Sequence, residues 1–152
     1  MTARRLVLAA ALAAALAACN QQPAAYIDVT GGGFIFNYRL AIAFAGIVVV
    51  PRAALPDKSR LEVTMENPAG GPAVAMRQAP GAGGRIEFNT EPLAGIVADR
   101  PYAVTVRLLA ENGTELQRID KTFKSQLDQS ALPPAALTIG PGYTPNPALP
   151  AQ

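Results

Sequence analysis

Phe34-Ile35-Phe36-Asn37-Tyr38-Arg39-Leu40-Ala41-Ile42-Ala43-Phe44 decides the fold class. Phe34, Phe36, Tyr38, Leu40, Ile42 and Phe44 stand at every second position, with Asn37, Arg39, Ala41 and Ala43 among the residues between them. A period of two places all six large side chains on one face of a strand, whereas a helix would scatter them around its circumference. The stretch therefore reads as one core-facing strand. Gly46 is a candidate bulge or break before Ile47–Val50 continues it. A sharper reading makes the aromatic residues the lining of a groove for a lipid or a peptide.

Downstream, Leu61, Val63 and Met65 alternate with Glu62, Thr64 and Glu66, and Asn67-Pro68-Ala69-Gly70-Gly71-Pro72 ends that strand. A short strand around Ala73–Arg77 precedes the Pro80–Gly84 turn, after which Ile86 and Phe88 alternate with Glu87 and Asn89. Residues 90–100 read as a crossing loop with room for one helical turn. Tyr102, Val104, Val106 and Leu108 mark another strand, and Asn112-Gly113 is the strongest hairpin signal in the chain. The return strand carries Leu116, Ile119 and Phe123, and its phase slips between the first two, the mark of a bulge.

Upstream, Tyr26–Thr30 is a brief β-type run stopped by Gly31-Gly32-Gly33, which lacks the Lys-Ser/Thr and helix of a phosphate cradle and reads as a turn. Short strands punctuated by Gly and Pro make an all-β fold, an antiparallel Ig-like β-sandwich over residues 26–139. Residues 140–152 hold four prolines and predict an extended, polyproline-like tail with Tyr143 as its large anchor.

The N-terminus has a different character. Arg4 and Arg5 precede the apolar run Leu6–Leu16, and Leu16-Ala17-Ala18-Cys19 closes it. The run is eleven residues, short of the roughly 20 that a spanning helix needs. This is the pattern of a bacterial lipoprotein signal: residues 1–18 removed, cleavage between Ala18 and Cys19, and the Cys19 thiol acylated. Residues 19–25 then form a lipidated tether. Each buried CH₂ contributes about 0.8 kcal/mol, so two or three acyl chains anchor stably. The expectation is a cell-envelope protein, with Asn20 favouring an outer-membrane location facing the periplasm.

Composition narrows the chemistry. Without Arg4 and Arg5, eleven Lys/Arg face eleven Asp/Glu, so no field draws the mature chain to nucleic acid. Histidine is absent and Cys19 is the sole cysteine, which excludes His/Cys zinc sites, cysteine nucleophiles and Ser-His-Asp triads within the chain. No cofactor or metal is implied. The remaining catalytic candidates are a Ser125/Lys121 dyad, which a strand would hold about 13 Å apart on one face, and the carboxylate pairs Glu62/Glu66 and Glu87/Glu91, which sit on apparent solvent faces.

From Ala54-Leu55-Pro56 through Leu61-Glu62-Val63-Thr64, Ile86-Glu87-Phe88, Tyr102-Ala103-Val104-Thr105-Val106 and Asn112-Gly113, the order of pieces resembles the small β-sandwich lipoproteins of the YbaY/YscW group, relatives of type III secretion pilotins. About half the chain shares the resemblance; Tyr26–Val50 and the proline-rich tail depart from it. The resemblance implies a non-catalytic, membrane-tethered module that assists an outer-membrane assembly, and it transfers no site residue. The leading expectation is a non-enzymatic adaptor for another envelope protein, with Phe34, Phe36, Tyr38 and Tyr143 as its candidate face. The alternative is a small-ligand or lipid-binding lipoprotein using the same aromatic residues.

Overall fold

The alternation through Phe34–Phe44 spans two strands. In the computed structural model, which describes residues 25–81 and 84–149, Ile27–Asn37 forms β1 and Ile42–Pro51 forms β2, paired antiparallel around a turn at residues 38–41. Asn37 Oδ1 accepts the Leu40 N–H at 3.1 Å, the Ala41 N–H donates to the Tyr38 carbonyl at 3.3 Å, and Ala41 has φ 54°. An Asn side chain imitating a turn carbonyl is local chemistry that periodicity does not register. Tyr38 and Leu40 keep the alternation going through a segment that is not extended.

The hairpin changes which side chains form the core. Phe34 pairs with Ala45 and Phe36 with Ala43, so large residues of β1 lie beside small residues of β2 on the inner face. Ala43, Ala45, Ile47 and Val49 are buried, while Ile42 and Phe44 stand on the outer face beside Asn37 and Ile35. Gly31–Gly33 is strand rather than turn, and the irregularity lies just before it, between Val29 and Gly31. Gly46 sits within β2 without breaking it.

The later elements are β3 (Arg60–Met65), β4 (Val74–Gln78), β5 (Ile86–Asn89), β6 (Pro101–Leu109) and β7 (Glu115–Lys124). Hydrogen bonding gives one sheet in the order β1-β2-β5 and another in the order β4-β3-β6-β7, antiparallel throughout. The result is an all-β, sandwich-like fold. Its core sits between Ile27, Ile47, Val49, Ile86 and Phe88 on one side and Leu61, Val63, Met65, Tyr102, Val104, Val106 and Leu108 on the other. Each fully buried side chain of this kind contributes about 1.5–3 kcal/mol. Asn112-Gly113 turns β6 into β7, with Gly113 at φ 86°. The register slips opposite Leu116, where the sequence phase slips.

The two sheets close along β1 and β7. Gln117 reaches from β7 to β1, where its amide accepts the Ile27 N–H at 2.9 Å and donates to the Ile27 carbonyl at 2.8 Å. One side chain thus replaces a backbone neighbour at the start of an edge strand. Gln117→Leu leaves both Ile27 groups unpaired and lowers stability by about 1–3 kcal/mol, measured by urea unfolding; a change within 0.5 kcal/mol would show that water serves these groups as well.

The prolines predict an extended tail, but its described part turns back. Thr138–Ile139 (β8) pairs with Thr144–Pro145 (β9), with Gly140 at φ 67° supplying the reversal. The signal segment, Ala18, Cys19 and the tether up to residue 24 lie outside the described residues. Among the described residues no helix is long and apolar enough to cross a membrane.

Candidate functional site

The sandwich has two unlike ends. At the entry end, the chain arrives through Tyr26, whose carbonyl accepts the Arg52 N–H at 2.8 Å beside the 51–59 loop. Arg52 also donates to Asp28 at 2.7 Å, and this hydrogen bond holds the Asp28 carboxyl below its ordinary value of 3.8. A hollow of ≈ 450 Å³ lies here, between residues 51–59 and Ala79–Gly81. The distal end is reached by β1, which at about 3.3 Å per residue carries the chain roughly 30 Å away. There the Tyr38–Ala41 turn meets the tail.

The four candidate residues are divided by the hairpin. Phe34 and Phe36 are half-buried against the core, and the Phe34 ring meets Tyr102 edge-on at 5.2 Å. Their outer margins line a hollow of ≈ 310 Å³ shared with Gly33 and residues 124–127. Tyr38 and Tyr143 are instead on the surface, 44% and 63% exposed. Two contacts bring their segments together. The Leu137 N–H donates to the Arg39 carbonyl at 2.8 Å, and the Arg39 guanidinium lies over the Tyr143 ring at 4.3 Å. Leu40, Leu137 and Ile139 are exposed on the same segments. The sequence reading did not assign these three aliphatic residues to a site: Leu40 reads as core-facing strand, and Leu137 and Ile139 acquire their setting only when the tail folds back.

The start of the tail is fixed locally. Asp128 caps a single 3-10 turn, Gln129–Ala131, and donation from the Ser130 N–H and then its hydroxyl lowers the Asp128 pKa. The Ser125 hydroxyl donates to the Leu127 carbonyl at 2.6 Å, so this buried serine is engaged in a turn, while Lys121 is exposed on β7.

The carboxylate candidates are bound by arginines. Glu62 is buried rather than solvated: Arg107 at 2.7 Å, Arg77 at 3.0 Å and Arg60 at 3.6 Å surround it. Glu66 pairs with Arg100 and Glu87 with Arg85. Period two correctly placed Glu62 on the outer face of β3, but the cross-strand arginines that cover it belong to register. Comparison with family descriptions, curated proteins and solved structures finds no match for this chain.

Proposed function

We propose that this chain is a non-enzymatic envelope lipoprotein, anchored through Cys19, whose sandwich binds another envelope protein as an adaptor. The observation that carries the reading is the separation of the two ends. A tether at residues 19–25 would enter beside Tyr26, and the exposed Tyr38, Leu40, Leu137, Ile139 and Tyr143 stand at the far end, away from the anchoring surface. Aromatic and aliphatic residues held on rigid turns are the usual anchors of protein interfaces. The lipobox pattern at Leu16–Cys19 supports an outer-membrane location facing the periplasm.

An Ig-like topology is part of the proposal. The orders β1-β2-β5 and β4-β3-β6-β7 correspond to a Greek-key sandwich whose fourth strand has moved to the second sheet. Tyr102, at the start of β6, accepts the Val97 N–H at 2.8 Å on its hydroxyl. A tyrosine bonded back to the chain just upstream at this corner is a recurrent feature of such sandwiches. The pilotin-like resemblance of residues 54–113 points the same way.

A photocrosslinking residue at Tyr143, with another at Asp57 as the entry-end control, tests the adaptor reading in intact envelopes. The expected result is one saturable envelope-protein adduct from position 143, lost in Cys19→Ser, together with palmitate labelling that requires Cys19. Labelling without Cys19, or no saturable adduct from position 143, overturns the reading. The hollow beside Phe34 and Phe36 supports the small-ligand alternative. Native mass spectrometry of Cys19→Ser decides for that alternative if a small molecule co-purifies and Phe36→Ala releases it.

A further inference from the structure

Among the described residues most sheet edges are guarded, and one is bare. Edge strands resist unwanted pairing by being short or by carrying charge and proline. β5 is four residues long and flanked by Arg85, β4 carries Arg77, and β7 carries Arg118, Asp120, Lys121 and Lys124. Between Val29 and Asn37, β1 has neither charge nor proline.

The backbone of that stretch faces outward. Ala43 and Ala45 turn their carbonyls toward the β5 side, accepting from Leu93 at 2.7 Å and Thr90 at 2.9 Å. Their partners on β1, Phe36 and Phe34, therefore form non-hydrogen-bonded pairs with β2 and direct their N–H and C=O groups to the free edge. Gly32, opposite Ile47, continues the same alternation. At Ile27 the corresponding groups are taken by Gln117, but among the described residues none serves Gly32, Phe34 or Phe36. Gln117 and Phe123 close the seam with β7 over the first half of β1, and over the second half it opens into the hollow lined by Phe34, Phe36 and Leu127.

We propose that this edge, Gly32–Asn37, is a docking strand on which an extended segment of a partner protein adds as a further strand of the three-stranded sheet. The proposal rests on the adaptor reading and names the partner's chemistry. Backbone groups supply the pairing, and alternate side chains of the guest enter the hollow, where those over Phe34 and Phe36 are apolar. Lys124 also lines that hollow and joins no ion pair among the described residues. The inward side chain of the guest that meets Lys124 is therefore acidic.

The test uses the soluble full chain, Cys19→Ser, and ten-residue peptides alternating valine with threonine in which one valine at a time is replaced by glutamate. Amide exchange at Gly32, Phe34 and Phe36, fast in the free protein, is expected to slow at least tenfold with peptide bound. The best-binding of these peptides is expected to bind at least tenfold more weakly with lysine in place of its glutamate, and not at all when N-methylated at alternate residues. Ile35→Lys, which adds a guard charge at an exposed position 45% open to solvent, weakens binding about tenfold. Unchanged exchange at the three amides, or equal binding of the methylated peptide, overturns the proposal. So does protection that depends on protein concentration without peptide, which assigns the edge to a second copy of the chain. If crosslinking from position 143 persists while the amides stay unprotected, the edge reading falls alone; if peptides dock but no envelope adduct forms, the adaptor reading falls alone.

Discussion

Replacing Tyr102 with phenylalanine lowers the unfolding free energy by about 1–2 kcal/mol, and replacing it with alanine by about 3–5 kcal/mol. The two substitutions remove different things. Tyr102 is fully buried, its ring stacked edge-on with Phe34 and lying under the Arg100 guanidinium at 4.8 Å. Phenylalanine keeps this packing and deletes only the hydroxyl that accepts the Val97 N–H at 2.8 Å. That donor, part-buried at the corner, then faces a hydrocarbon ring, and a donor left unmet costs about as much as the bond contributed or more. Alanine also empties a ring-sized volume between the sheets, a loss that includes both transfer and cavity effects. Urea unfolding with an unchanged m value gives both numbers. A phenylalanine variant within 0.5 kcal/mol of the parent would mean that the hydroxyl does not hold the 90–100 loop.

That loop shows why position 102 matters beyond its own contacts. Residues 90–100 contain no helical turn; the segment is fixed point by point. Its Leu93 N–H donates to Ala43, Ile96 is buried, and Gly95 at φ 75° lies so near Pro68 and Ala69 that a Cβ would come within 3.0 Å of the Ala69 Cα. Tyr102 joins the loop to the core through Val97. Loosening this corner also disturbs Phe34, and through it the hollow of the proposed docking edge.

The sequence was legible where one face is wet and the other dry. Leu61/Val63/Met65, Ile86/Phe88 and Tyr102/Val104/Val106/Leu108 are strands with their alternating residues inward, as the period predicts. Asn112-Gly113 and the slip at Leu116 were readable because turns and bulges leave local marks. The first hairpin was not, because Tyr38 and Leu40 continue the alternation through a turn set by one Asn side chain. The candidate site inherited that difficulty: Phe34 and Phe36 fell on the inner face, Tyr38 and Tyr143 on the distal surface. The aliphatic residues beside Tyr143 acquire their setting only when the tail folds back onto Arg39. The edge at Gly32–Asn37 depends on which way backbone groups point, a matter of pairing that residue types alone do not specify.

Gly32→Ala is the complementary case, in which one added methyl group destabilises by about 1–3 kcal/mol. Gly31-Gly32-Gly33 reads as a turn, yet Gly32 is strand, and what position 32 requires is space. A Cβ there would lie 2.2 Å from Cζ and 2.7 Å from Cε2 of Phe123, and 3.0 Å from the Gly46 carbonyl oxygen. The Phe123 ring crosses from β7 onto the bare backbone of β1 and closes the sandwich where Gln117 no longer reaches. With alanine at 32 the ring must swing away, and the packing of both sheet edges loosens. A double-mutant cycle separates this overlap from any intrinsic preference of the strand. Phe123→Leu shortens the side chain, so Gly32→Ala in that background should cost at least 1 kcal/mol less than in the parent. Equal costs in the two backgrounds would place the strain at the Gly46 carbonyl instead, and the seam between β1 and β7 would then depend on Gln117 rather than on the phenylalanine.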